Sequence, residues 1–204
     1  MDEWEYGLII KNVKSVYNER VNFIAVYNNV KIKECLFRLS KLIDREDMRG
    51  ADVIITGDLN ARIGEVNENG EAINRKSRDK LCNWEGEKLL DFCQKNAFEI
   101  RNGRIEGDWE GKLTCISESG GSVLNLVIEN NNLVNRLEVI TRVESDHMPA
   151  AFEIDKYIRA NHGGLQSRKV VKAEFLKFDK DKTNSYMEEM ENTWLNENEQ
   201  YATL

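Results

Sequence analysis

Four residues of this sequence carry side chains suited to hydrolytic chemistry: Asp58 and Asn60 in VIITGDLNARIG (53–64), and Asp146 and His147 in ESDHMP (144–149). Carboxylates orient or deprotonate water, and an imidazole transfers a proton or steadies a developing negative charge. Should the four converge, the donor set is rich in oxygen with a single imidazole, which suits Mg²⁺ or Mn²⁺ better than zinc. A cation there would neutralise a phosphodiester while a carboxylate activates water. Adjacent side chains in an extended segment point to opposite sides. Asp146 and His147 therefore do not pair with each other but face different parts of one site.

The elements around these residues must place them. Val53, Ile54, Ile55 and Thr56 run into Gly57, as in a strand buried on both faces, so Asp58 and Asn60 stand where that strand emerges. The crevice outside the carboxyl ends of strands is where open α/β sheets bind ligands. Taken alone, Gly57-Asp58-Leu59-Asn60 suits a plain turn at least as well, since Gly, Asp and Asn all favour turns.

Upstream, Glu5–Tyr27 reads as a hairpin broken at Asn18, Glu19 and Arg20. Lys31–Arg49 carries Ile32, Cys35, Leu36, Leu39 and Ile43 at helical spacing, with Gly50 as the expected stop. A strand-helix-strand unit over Val21–Thr56 implies a parallel strand pair. Ala61–Asn83 is polar and aperiodic and is expected to be a long surface loop. Its Arg75, Lys76, Arg78 and Lys80 form the densest basic cluster, suited to phosphate contact or to a solvated charge run.

Downstream, Trp84–Asn96 predicts a second helix and Ala97–Arg101 a strand. Lys112–Ile116 and Ser122–Ile128 predict a hairpin turning at Gly120-Gly121. Strands Leu137–Val143 and Ala150–Ile154 flank Asp146-His147, and Pro149, the single proline, keeps Met148 extended. Arg159–Ser167 reads as a linker, and Phe175–Glu199 as an amphipathic helix. The domain is thus expected over 1–157, with linker and helix over 158–204.

At 204 residues, with 41% hydrophobic and 32% charged residues, the chain holds one domain with a real core. No apolar run approaches the roughly 20 residues that span a bilayer, and the acidic N-terminus is unlike a signal peptide. An intracellular site, nucleus or cytoplasm, is the expectation. The four cysteines lack any Cys-x-x-Cys spacing, so neither a zinc site nor a disulfide framework is expected. A net charge of -7 argues against holding nucleic acid by bulk electrostatics, so DNA contact needs a local patch such as the basic loop.

Gly57-Asp58-Leu59-Asn60, followed some ninety residues later by Ser145-Asp146-His147-Met148-Pro149, resembles the paired signatures of the endonuclease/exonuclease/phosphatase superfamily. VNFIAVYNN, GDLNARIGE, GDWEGKLTCISESGGSVLNLVI and RVESDHMPA resemble its non-LTR retrotransposon endonucleases in particular. The resemblance implies a DNase I-like α/β sandwich of two sheets with outer helices, and a Mg²⁺- or Mn²⁺-dependent phosphodiesterase that nicks DNA. It assigns Asp58 to orienting or deprotonating the attacking water and Asn60 to holding water or phosphate. Asp146 matches the metal-site carboxylate, with Asp58 beside it, and His147 the phosphate-contacting histidine. Tyr27 matches a tyrosine that touches the scissile phosphate, and a structural aromatic is the equal alternative.

Two departures bear on activity. Where the family reads Ser-x-Ile-Asp-Tyr, this chain has Asn125 and Leu126, so the partner of the histidine is an amide without negative charge. In the unrelated serine-protease triad the same Asp-to-Asn change lowers turnover on the order of 10⁴, so reduced activity is expected. The resemblance also covers only the later part of the family domain, about Tyr6–Ile154, without the metal-binding glutamate of its front part. An incomplete sandwich with an uncovered edge is the expectation. A working nuclease, a catalytically dead binding module and a phosphomonoesterase of the same superfamily all remain open on the sequence.

Overall fold

Why Asp58 emerges at the edge of a buried layer follows from strand alternation in a computed structural model of the chain. It describes residues 2–4, 7–14, 20–29, 31–66, 68, 75–118, 120–142, 145–154 and 171–175. In chain order the elements are β1 (Asp2–Trp4), β2 (Gly7–Lys14), β3 (Arg20–Tyr27), α1 (Ile32–Ile43), β4 (Asp52–Asp58), α2 (Trp84–Lys95) and β5 (Glu99–Ile100). They continue as β6 (Cys115–Ser117), β7 (Gly120–Ser122), β8 (Asn125–Glu129), β9 (Val134–Val139), β10 (Ala150–Ile154) and β11 (Val171–Phe175).

Among the described residues, a large sheet has the order β1-β2-β3-β4-β8-β5 and a small one the order β11-β10-β9. The expected hairpin forms from β2 and β3, and the strand-helix-strand unit forms as β3-α1-β4, with β3 and β4 parallel from Val21↔Asp52 to Tyr27↔Asp58. Successive strand residues point to opposite faces, and both faces are apolar. Ile24, Val26, Val53, Ile55, Leu126 and Ile128 face the helices, whereas Val21, Phe23, Ile54 and Val127 face Leu137, Phe152 and Ile154 of the small sheet. The result is the two-sheet DNase I-like sandwich, with α1 and α2 outside the large sheet. Burying each large aliphatic side chain stabilises it by about 1.5–3 kcal/mol. On the small sheet the outward positions Asn135, Glu138 and Glu153 are polar or only part-buried, which suits a face turned to water.

Several boundaries differ from the sequence reading. Helix α1 buries Ile32, Cys35, Leu36, Leu39 and Leu42 and ends at Ile43, not Arg49. Asp44-Arg45-Glu46-Asp47 offers nothing apolar to continue that face, and packing of such a face is what sustains a helix. Met48 is instead buried from the turns that follow, and Gly50 (φ 71) closes those turns rather than the helix. The hairpin after Lys112 is also shorter. Gly120 and Gly121 lie within β7, paired with Ser117 and Ile116, and β8 leaves to join the large sheet beside β4.

The described residues of Ala61–Asn83 do not lie wholly on the surface as expected. Ala61, Ile63, Ser77 and Asp79 are buried, and Ile63 bridges to Cys82. Strand β11 pairs with β10 from Ala150↔Phe175 to Ile154↔Val171, inside the stretch expected to hold only a linker and a helix. The expected linker Arg159–Ser167 lies outside the described residues, as does the expected C-terminal helix beyond Phe175.

Candidate active site

The Gly-Asp-Leu-Asn segment is both a turn and a site, and each residue has a local cause. Gly57 has φ 126, and a Cβ there would lie 2.1 Å from the Val26 carbonyl oxygen, so strand β3 leaves room only for glycine. Leu59 is fully buried against the helices and anchors the turn. Asn60 has φ 49, a left-handed conformation that asparagine tolerates, and its N–H donates to Asp58 Oδ1 at 2.9 Å. One carboxylate oxygen of Asp58 is thereby fixed by its own turn. The other, Oδ2, lies 3.8 Å from His147 Nε2.

His147 is held from its far side. Its Nδ1 lies 3.2 Å from Asn125 Oδ1, while Asn125 Nδ2 donates to the Met148 carbonyl at 3.0 Å. The donation to Met148 O sets the orientation of the amide, so the oxygen faces the ring and the Nδ1–H donates to it. Asn125 stands directly across from Asp58 in the β4–β8 register, and Tyr27 stands beside Asp58 in the β3–β4 register. Asp58, Asn125 and His147 thus meet through side chains, with Tyr27 adjacent by register. Asp146 is exposed on the same segment as His147, with Ser145 Oγ 3.4 Å from its Oδ1.

Residues that sequence reading did not single out hold this arrangement. Thr114 is fully buried, and its hydroxyl oxygen accepts from the N–H of Leu124 at 2.8 Å and of Asn125 at 2.9 Å. Its carbonyl accepts from the Met148 N–H at 2.8 Å, so one residue ties β8 to the histidine segment. Asp79 is buried and accepts two hydrogen bonds from Arg62, at 2.8 and 2.6 Å, and further ones from the N–H of Leu81 and Val123. Burial pushes the Asp79 carboxyl up, but the Arg62 hydrogen bonds and the two backbone donors outweigh it and leave it below its ordinary value. Asp79 thereby connects the chain following Asn60 to the chain entering β8. Only contacts made across 17 and 44 residues single it out, which no local pattern reveals.

Beside Asn60 opens a cavity of about 480 Å³ lined by Asn28, Lys31, Lys33, Asn83 and Trp84. Asn83 caps α2, its side chain accepting from Gly86 N at 2.8 Å and from Arg62 N at 3.0 Å. A Cβ at Gly86 would lie 1.8 Å from the Arg62 carbonyl oxygen, so glycine lets α2 approach the chain after Asn60. Trp84 is 47% exposed, with Lys33 Nζ 5.2 Å and Lys88 Nζ 5.9 Å from its ring centre. The amphipathic pattern of α2 is visible in sequence, but an exposed tryptophan beside Asn60 is not.

The expected basic cluster is corrected in part. Arg75 is 4% exposed, and its Nε donates to the Val66 carbonyl at 3.1 Å. Burial, with Arg104 nearby, pushes its guanidinium down to about 10. It faces the interior because the loop folds inward, so it does not offer a phosphate contact at the surface. Arg78 and Lys80 are paired with Glu110 and Glu65, while Lys76 is exposed.

As for divalent cations, Mg²⁺ takes oxygen ligands and is commonly held by one or two carboxylates. Asp58, with one oxygen fixed by its turn, and the exposed Asp146 provide donors of that kind.

The fold has counterparts among known proteins. The solved endonuclease domain of TRAS1, a telomere-specific non-LTR retrotransposon, is similar with a TM-score of 0.52 and 16% identity, covering 72% of this chain and 67% of that one. The catalytic domain of APE2 from Xenopus laevis gives a TM-score of 0.48 at 17% identity over 71% of this chain, which spans about half (54%) of that domain. At 16% identity the likeness to the TRAS1 domain concerns the fold alone. No curated protein sequence matches the chain. The profile of the endonuclease-reverse transcriptase family, in contrast, matches residues 12–151, well over half of the chain. The chain belongs to that family, within the endonuclease/exonuclease/phosphatase, or DNase I-like, superfamily.

Proposed function

We propose that this chain is a divalent-metal-dependent phosphodiesterase of retrotransposon-endonuclease type that nicks DNA, working at reduced rate. The observation that carries this reading is the side-chain chain Asp58–His147–Asn125, at 3.8 and 3.2 Å, at the emerging end of a buried strand. Asp58 orients the attacking water and takes its proton. The water oxygen forms the new bond to phosphorus as an ester P–O bond breaks. His147, oriented by Asn125, contacts a phosphate oxygen, Asn60 holds water or phosphate, and Tyr27 flanks the phosphate. Asp146 and Asp58 would hold Mg²⁺ or Mn²⁺, which when bound supplies positive charge to the phosphodiester.

DNA is the proposed partner. Lys31, Lys33 and the exposed face of Trp84 border the cavity beside Asn60, and Lys76 remains available from the basic loop. A net charge of -7 makes such local contacts necessary. The rate is set low because the Asn125 amide orients the imidazole without stabilising its charged form, as an aspartate would.

The test is nicking of supercoiled plasmid with and without Mg²⁺, comparing the chain with Asp58→Ala. Metal-dependent nicking that disappears in the variant is expected. Equal products from both proteins would sink the reading. A second reading, a DNA-binding module without turnover, is favoured by the missing charge at Asn125 alone. DNA retention by the chain with no nicking would select it.

A further inference from the structure

The cysteines are too far apart in sequence to suggest a metal site, but folding places one of them against the histidine segment. Cys115 and His147 face each other in an isolated antiparallel bridge. The Ile116 N–H donates to the Asp146 carbonyl at 2.7 Å, and the Met148 N–H to the Thr114 carbonyl at 2.8 Å, so backbone bonds fix both segments. One ligand atom from each of Cys115, Asp146 and His147, namely a thiol sulfur, a carboxylate oxygen and a ring nitrogen, all lie within 4.8 Å of one another.

We propose that Cys115, Asp146 and His147 bind one borderline-soft divalent cation of the Zn²⁺ class. Thiolate, imidazole and carboxylate are the donors that zinc takes, at about 2.3, 2.0–2.1 and 2.0–2.2 Å respectively. Mg²⁺ shuns sulfur, so this donor set discriminates against the cation of the proposed nuclease reaction. Asn125 completes the site from behind. Its amide oxygen accepts the Nδ1–H, which fixes the ring tautomer and leaves the Nε2 lone pair for a cation, the role an outer partner has behind a zinc-bound histidine. The three donors sit on backbone already bonded in place, so small side-chain rotations close the site. On binding, the Cys115 S–H gives its proton to solvent and an S–metal bond forms. Three protein ligands leave a fourth position for water or a phosphate oxygen.

Binding does not depend on the nuclease reading. Its consequence does: occupancy takes His147 and Asp146 away from the phosphodiester, so Zn²⁺ inhibits nicking. The test uses the full chain under reducing conditions. Zn²⁺ is titrated against a chromophoric chelator, and Co²⁺ is added separately to read the thiolate-to-cobalt charge-transfer absorption. One equivalent of Zn²⁺ that excess Mg²⁺ does not displace, and a charge-transfer band, are expected. Cys115→Ser should remove the band and weaken Zn²⁺ by at least about tenfold, comparable to losses seen on disturbing zinc-site partners. Cys82→Ser should keep the band. Asp146→Asn, altering an exposed side chain, should weaken Zn²⁺ while retaining the band, and circular dichroism checks the fold of every variant. No band in the parent chain, or undiminished binding in Cys115→Ser, overturns the proposal whether or not the chain nicks DNA.

Discussion

Asp79→Asn is the sharpest test of how the site is held. The carboxylate accepts four hydrogen bonds, two from Arg62 and one each from the N–H of Leu81 and Val123, and its side chain is 1% exposed. An asparagine has one acceptor oxygen, so its NH₂ group must face at least one of these donors. Losing a charge-assisted pair costs about 1.5–3 kcal/mol, taken at the low end because a third of the Arg62 side chain reaches water. Leaving a buried N–H unsatisfied costs a further 1–3 kcal/mol or so. Together the variant should lose roughly 2.5–4.5 kcal/mol at neutral pH, measured by urea denaturation.

The pH dependence gives a second check. The folded Asp79 carboxyl lies below its ordinary value of 3.8. Its contribution is therefore fully present above that value and is lost as pH falls through the lower folded value. The gap between parent and variant should be constant from neutral pH to about 5 and narrow as the pH falls further, through the lowered folded value. A variant within about 0.5 kcal/mol of the parent at pH 7, or a gap unchanged on acidification, refutes the reasoning.

Two further outcomes are expected. Asn125→Asp places a carboxylate at the 3.2 Å contact with His147 Nδ1 and should raise the nicking rate at least about tenfold, the reverse of the triad Asp-to-Asn loss; a rate equal to or below the parent's in plasmid assays contradicts the role given to the missing charge. Trp84→Ala removes a half-exposed stacking surface worth about 1–3 kcal/mol per base, so DNA affinity by fluorescence anisotropy should fall roughly 5- to 150-fold with little change in melting temperature. Unchanged affinity removes Trp84 from the DNA-binding surface.

The ancestry of the site was legible in the chain itself because its two motifs are short, local and chemically constrained. Gly57 and Asn60 satisfy backbone demands, Asp58 and His147 satisfy chemical ones, and the apolar run Val53-Ile54-Ile55 encodes a strand covered on both faces. Helix α2 could be read from its period because its buried residues repeat within one element. Where α1 ends was not legible, because that depends on whether a face remains to be buried after Ile43.

The tertiary structure alone decided the rest, and the reason is contact range. Whether Asp79 is a solvated charge or a buried acceptor depends on Arg62 and Val123, and the burial of Arg75 depends on how the same loop folds inward. Cys115 is one of four widely spaced cysteines in sequence, yet the bridge to His147 makes it a ligand candidate. Composition and period indicated much of the apolar core and the pairing of β2 with β3 and of β3 with β4. They did not determine which polar groups meet, since a hydrogen bond between segments dozens of residues apart leaves no periodic trace in either.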